Sequence, residues 1–178
     1  QTAFVALQAL RNVCGIAISV QSIAEGFARV VDLTGLRGRW ETLSLQPLTI
    51  CDTGHNSHGI RYVAEQLTSL LAHQRQQSES ATLHIILGMV NDKDINQVLA
   101  LLPEDATYYF TQPNTPRALP SEQIYNRWKN LHPHHNSSAF YQAATDALTQ
   151  AQHLAQPMDI IFIGGSNYLV GELLSNYQ

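Results

Sequence analysis

Asp52-Thr53-Gly54-His55-Asn56-Ser57-His58 gathers a carboxylate, two imidazoles and an amide into one short stretch. These groups could grip an anion, accept hydrogen bonds from hydroxyls and carry a proton. Their chemistry depends on what holds them. Leu48-Thr49-Ile50-Cys51 reads as a short buried strand ending at Asp52. Gly54 would let the backbone turn tightly, and Asn56 or Ser57 would cap a helix. From Ile60 the apolar residues Ile60, Val63, Ala64, Leu67, Leu70 and Leu71 follow helical spacing. The cluster is therefore expected at the mouth of a strand-to-helix turn, where open α/β sheets bind ligands. A helix N-terminus there would favour phosphate or carboxylate. The residues alone equally allow a plain turn, with Asp52 and Asn56 as caps and His55 and His58 as surface groups.

Other groups are weaker candidates. Lys93, between Asp92 and Asp94, could meet an anion or simply begin a helix. Arg117 falls in a loop expected at the same sheet edge, and Ser166 follows Gly164-Gly165 in a turn that could hold an anion. Without G-x-x-x-x-G-K this turn is not a P-loop, and without G-x-S-x-G it is not a hydrolase elbow. His132, His134 and His135 are dense enough to suggest metal, yet Pro133 and Asn136-Ser137-Ser138 point to a flexible surface tract. No C-x-x-C and no Rossmann dinucleotide fingerprint is present. No metal site is assigned.

The supporting elements alternate. Strands are predicted at 41–45, 48–52, 83–87, 106–111 and 159–163, and helices at about 57–75, 93–102, 120–131, 140–155 and 167–175. This order predicts an α/β fold: a Rossmann-like, mostly parallel sheet with helices on both faces. The first two strands, joined by Gln46-Pro47, are expected to form an antiparallel edge hairpin. Residues 1–34 differ. Ala3, Val5, Ala6, Leu7 and Leu10 suggest one helix ended by Gly15, and Ser19 or Ser22 would cap a second carrying Ile23, Ala24, Phe27, Val30 and Val31.

Composition sets the class. The chain has 178 residues, 44% hydrophobic, with a formal net charge of -4. It is too apolar for a disordered chain and has no run long enough for a membrane span. Mild acidity gives no reason to expect nucleic acid. Cys14 and Cys51 are too few for a disulfide framework and are expected to be buried apolar residues in a reducing compartment. A cytoplasmic location follows as an expectation, and the start at Gln1 reads as a piece of a longer protein.

Gly38-Arg39-Trp40-Glu41 followed by Cys51-Asp52-Thr53-Gly54-His55-Asn56-Ser57-His58 resembles the C-terminal domain of folylpolyglutamate synthase and dihydrofolate synthase. These are ATP-dependent amide-forming ligases of the Mur ligase superfamily. The family wording is close to GRF or GRW, then D-x-A-H-N-P-H; Gly54 stands here where alanine is commoner. The resemblance continues through Leu87-Gly88-Met89-Val90-Asn91-Asp92-Lys93-Asp94, Tyr108-Tyr109-Phe110-Thr111, Pro116-Arg117-Ala118-Leu119 and Ile163-Gly164-Gly165-Ser166, in family order.

That resemblance implies a division of the chain and a chemistry. Residues 1–34 would be the helical tail of a central ATPase domain, 35–38 a linker and 39–178 the Mur ligase C-terminal domain. The enzyme would phosphorylate a carboxylate with ATP, and the amino group of L-glutamate would attack the acyl phosphate of dihydropteroate or a folate. Arg39 would reach the polyphosphate, Asp52 would contact the nucleotide or orient the linker, and His55 would donate to a phosphate oxygen as a catalytic and nucleotide-binding residue. The P-loop and the Mg²⁺ ligands would lie upstream of this chain, which alone would be inactive. The expected partners are ATP, glutamate, a pteroate or folate substrate and the central domain, in a monomer without nucleic acid or membrane. A stand-alone binding module and a peptidoglycan Mur ligase are the alternatives.

Overall fold

The computed structural model describes residues 2–91 and 95–175. Its backbone divides into two compact units, Gln1–Arg37 and Gly38–Gln178. The first holds α1 (Thr2–Asn12), α2 (Val20–Ala28) and α3 (Val30–Thr34). Ser19 caps α2 by accepting a hydrogen bond from the Ser22 N–H at 2.9 Å. The single second helix expected through Val31 is broken at Arg29. Gly26 and the β-branched pair Val30-Val31 weaken the helix on both sides of that break. Cys14, expected to be buried, is exposed in the segment between α1 and α2, whereas Cys51 is buried in β2.

The second unit runs β1 (Glu41–Leu45), β2 (Leu48–Asp52), α4 (Ser57–Gln77), β3 (Leu83–Gly88), α5 (Ile95–Leu99), β4 (Thr107–Thr111), α6 (Ser121–Leu131), β5 (Ser138–Phe140), α7 (Ala144–Leu154), β6 (Ile160–Gly164) and α8 (Asn167–Leu174). The strands form one six-stranded sheet in the order β1-β2-β6-β3-β4-β5. β1 pairs antiparallel with β2 across the cis Gln46–Pro47 bond, and the remaining pairs are parallel. The mixed, mostly parallel sheet with an edge hairpin is therefore present as expected.

Strand alternation divides the core between two faces. Ile50, Ile85, Leu87, Tyr108, Phe110 and Phe162 pack with Ile60, Val63 and Leu67 of α4, Val98 of α5 and Trp128 of α6. Cys51, Ile86, Tyr109, Ile161 and Ile163 pack with Ala147 and Leu148 of α7 and Leu169 of α8. The chain thus moves from β2 through β5 with α4, α5 and α6 on one face, then returns through α7 on the other to insert β6 between β2 and β3. The register places Asp52 opposite Gly164, Gly164 opposite Leu87, and Gly88 opposite Thr111. Their C-terminal ends form one edge, and the Asp52 turn belongs to it.

Two expectations fail downstream. A helix was expected from 140, but β5 occupies residues 138–140 and α7 begins at Ala144. A three-residue edge strand is too short to show alternation, and its pairing with β4 alone defines it. The histidine tract is a surface loop only in part: Pro133, His134, Asn136 and Ser137 are exposed, whereas His132 and His135 are half-buried. His132 lies tilted against buried Trp128 with ring centroids 4.0 Å apart, and His135 meets it edge-on at 5.2 Å. The indole at the end of α6 supplies a platform that composition did not reveal.

Candidate functional site at the C-terminal sheet edge

β2 delivers Asp52 to the sheet edge, and the carboxylate is immediately tied to backbone. Oδ1 accepts from the Gly54 N–H at 2.6 Å, while Oδ2 accepts from the Trp40 N–H at 2.8 Å. Thr53 N–H donates to the Gly38 carbonyl at 2.9 Å. The segment carrying Arg39 and the turn carrying His55 are therefore stitched together, and Asp52 sits at the seam. One oxygen thus holds the Arg39 segment through Trp40, and the other holds the His55 turn through Gly54.

Gly54 achieves the turn differently from expectation. Its φ is not left-handed; instead, a Cβ there would lie 2.9 Å from Asp52 Oδ1, so glycine leaves room for the carboxylate over its own N–H. Gly38 is the position that needs glycine for conformation. Its φ is +72°, and a Cβ would lie 2.9 Å from both Thr53 Cγ2 and Val170 Cγ1. Its N–H donates to Glu41 Oε2 at 2.7 Å. Arg39 follows with its side chain exposed, and Trp40 has φ +46°.

His55 is half-buried, with Nδ1 2.9 Å from the Thr53 carbonyl. A carbonyl can only accept, so Nδ1 carries the proton, and Nε2 is the ring atom left for other chemistry. Asn56 caps α4 by accepting from Gly59 N–H at 2.8 Å, and the Ile60 N–H donates to the Asn56 carbonyl at 2.8 Å. Exposed His58 rests edge-on to Tyr62 on the helix surface. The cap fixes where the helix begins and hence where His55 can stand.

The weaker candidates separate from this group. Arg117 is exposed in the loop after β4, tied to the continuation of β3 through Asn91 N–H to the Arg117 carbonyl and Leu119 N–H to the Met89 carbonyl, both 2.9 Å. The β2 and β4 ends are three strand spacings apart, about 14 Å. Ser166 is buried and caps α8 by accepting from Tyr168 N–H at 3.1 Å, so its hydroxyl is engaged by the helix. Asp92, Lys93 and Asp94 lie outside the described residues. Among the described residues, no group of three or more His, Cys, Asp or Glu side chains could hold a metal ion.

The sequence reading missed two features. One is the left-handed Trp40, for which no residue-type signal exists. The other is a buried polar network at the opposite end of the sheet. His84 Nδ1 lies 2.9 Å from the Tyr109 hydroxyl, and His84 Nε2 lies 3.1 Å from Thr82 Oγ1 and 3.4 Å from Asp159 Oδ2. Burial lowers the His84 pKa, and hydrogen bonding to Asp159 opposes it. Burial also pushes Asp159 upward, but bonds from the Gln156 and Thr82 N–H groups and from the Thr82 and His84 side chains outweigh it, leaving the pKa lowered. The Tyr109 hydroxyl is pushed up to about 12, mainly by burial. A histidine inside the apolar run Leu83 to Leu87 was the available clue.

With this geometry in place, the chain's similarity to known proteins is specific. A family model described as Mur ligase, glutamate ligase domain, matches residues 38–167.

The chain belongs to the Mur ligase family.

This Mur ligase chain is 27% identical over 170 residues to the dihydrofolate synthase/folylpolyglutamate synthase of Escherichia coli (strain K12), covering 95% of the chain and 36% of that protein. It is 30% identical over 138 residues to the enzyme of the same name from Buchnera aphidicola subsp. Baizongia pistaciae, covering 77% of the chain and 30% of that protein. The chain therefore spans roughly a third of the length of these curated relatives. The solved structure of E. coli FolC in complex with DHPP and ADP matches with a TM-score of 0.79 at 24% identity, over 98% of this chain and 37% of that one. The bifunctional folylpolyglutamate synthase/dihydrofolate synthase of Yersinia pestis, complexed with AMPPNP and Mn ion, matches at 0.70 and 25%, over 90% and 35%. The Mur ligase sheet and its edge hairpin are the fold of these structures. Among the described residues, no helix is long and apolar enough to cross a membrane.

Proposed function

We propose that this chain supplies the C-terminal domain of an ATP-dependent folate ligase, which adds L-glutamate to dihydropteroate, to folates or to both through an acyl phosphate. The observation that carries this reading is the hydrogen-bonded seam joining the Arg39 segment to the Asp52–His55 turn at the C-terminal sheet edge. Residues 1–34 are the tail of the central ATPase domain on this reading, 35–38 the linker and 39–178 the ligase domain. The working protein is a cytoplasmic monomer.

The roles follow from each group's chemistry. Arg39 offers a planar, permanently charged fork for the polyphosphate, stabilising charge where phosphoryl transfer develops it. Asp52 holds the Arg39 segment through Trp40 and stands where a nucleotide hydroxyl could share its remaining lone pairs. His55 engages Nδ1–H with Thr53, so Nε2 donates to a phosphate oxygen only in the imidazolium form; in the neutral ring it accepts from a hydroxyl or an ammonium. Mg²⁺ would neutralise phosphate charge when bound, and its ligands belong to the part of the protein outside this chain. The isolated chain binds ATP weakly and catalyses nothing on this reading.

The test is an acceptor panel. The full-length protein is assayed for ADP release with ATP, L-glutamate and dihydropteroate, tetrahydrofolate or a muropeptide. Folate-dependent turnover is expected. Turnover with the muropeptide alone would make it a peptidoglycan ligase, and no ADP release with any acceptor would leave a binding module.

A further inference from the structure

Trp40 is the one non-glycine residue with a left-handed backbone among the described residues, at φ +46°. For a bulky L-residue that conformation is strained, and it persists only where the surroundings over-determine it. Here they do. The Trp40 N–H is held by Asp52 Oδ2, and the half-buried indole packs against the core, tilted toward Phe162 with ring centroids 6.3 Å apart. Two residues earlier, Gly38 is also left-handed, wedged between Thr53 and Val170, with its carbonyl accepting from Thr53 N–H. Arg39 is the residue between two clamped left-handed positions, and it alone of the three is exposed.

We infer that Trp40 is a positioning residue: its clamped, strained backbone fixes the direction in which the chain presents Arg39. The inference rests on the reading of Arg39 as the phosphate-facing cation. Without the indole anchor, Trp40 would relax toward negative φ, and the peptide joining it to Arg39 would rotate. Arg39 would remain charged and exposed but would sample many directions, losing the preorganisation on which electrostatic stabilisation depends. The Asp52 carboxylate sets the same backbone from the other side, so a side chain on the strand and an indole on the core act on one arginine.

The test is a double-mutant cycle in the full-length protein, comparing wild type, Arg39→Ala, Trp40→Gly and the double variant, with urea unfolding of each. Glycine accepts either sign of φ and removes the anchor, so it frees the segment without adding strain. Trp40→Gly is expected to lower kcat by about tenfold to a hundredfold, the scale for misplacing a catalytic group by an ångström, with the acceptor KM little changed. In the Arg39→Ala background it should change kcat no further, and Trp40→Phe should restore activity close to wild type. Should Trp40→Gly unfold, Phe162→Leu loosens the indole's support instead and should show the same dependence on Arg39. A wild-type kcat for Trp40→Gly, or an equal loss in both backgrounds, overturns the positioning role. A wild-type kcat for Arg39→Ala removes the underlying reading of Arg39 itself, a result distinct from either.

Discussion

Gly38→Ala concentrates two costs at one atom. The backbone there has φ +72°, and an added Cβ would meet Thr53 Cγ2 and Val170 Cγ1 at 2.9 Å each. Holding an L-residue left-handed costs about 1–2 kcal/mol. Overpacking against two methyl groups adds about 1–3 kcal/mol where the neighbours give only partly. The expected loss is therefore about 2–5 kcal/mol, a large part of a domain's ordinary stability. Urea unfolding followed by tryptophan fluorescence measures it directly, because Trp40 and Trp128 both belong to this unit. With a slope of about 1–3 kcal/mol per molar, the midpoint should fall by about 0.7 M or more. Thr53→Ser removes Cγ2 and one of the two clashes. In the cycle, Gly38→Ala should accordingly do less damage in the Thr53→Ser background than alone, while the φ strain and the Val170 contact remain. A single-variant loss below about 0.5 kcal/mol, or strict additivity with Thr53→Ser, would refute the reasoning that both conformation and space select glycine here.

Further outcomes follow from the same geometry. Arg39→Ala removes an exposed side chain, so stability should change by no more than about 0.5 kcal/mol, while ligation by the full-length protein should slow about a hundredfold; a normal initial rate takes Arg39 out of the site. Asp52→Asn places an amide NH₂ against one of two backbone N–H donors, and should cost about 1–3 kcal/mol while speeding hydrogen exchange at the Trp40 amide. Unchanged exchange at Trp40 would show that Asp52 does not hold the segment. Acid should destabilise the fold through the buried network. The lowered His84 pKa means the folded state favours the neutral ring, so its contribution is present above the unfolded value of 6.5 and is lost as pH falls through the lower folded value. Asp159, lowered from 3.8, adds a second loss at still lower pH. Melting temperature followed from pH 7.5 downward should fall less steeply in His84→Gln than in wild type; equal slopes would exclude His84 as the cause.

The fold was legible where apolar spacing carries it. Ile60, Val63, Ala64, Leu67 and Leu71 line the buried side of α4 as their spacing implies. The boundaries of β1 and β2 coincide with the expected 41–45 and 48–52. β5 was illegible because three residues at an edge take their conformation from β4 rather than from their own pattern. The packing of His132 and His135 was illegible because proline and asparagine suggest only a loop, whereas Trp128, four residues before His132, gives both rings a surface to rest on. At the site, residue types placed Asp52 and His55 in one strand-to-helix turn, the resemblance added Arg39, and the Asn56 cap was visible as a helix signal. What the types could not show is connection. A carboxylate accepting from Trp40, twelve positions earlier in the chain, depends on β1 folding back beside β2, and the left-handed φ of Trp40 has no signature in a tryptophan.

The most direct measurement is hydrogen exchange by the full-length protein with and without a non-hydrolysable ATP analogue. Nucleotide binding at this sheet edge predicts added protection at residues 38–40 and 53–56, with little change around His84 and Asp159 at the far end of the sheet. Protection confined to other segments, with 38–40 and 53–56 exchanging as in the free protein, would contradict the assignment of Arg39, Asp52 and His55 to a nucleotide site.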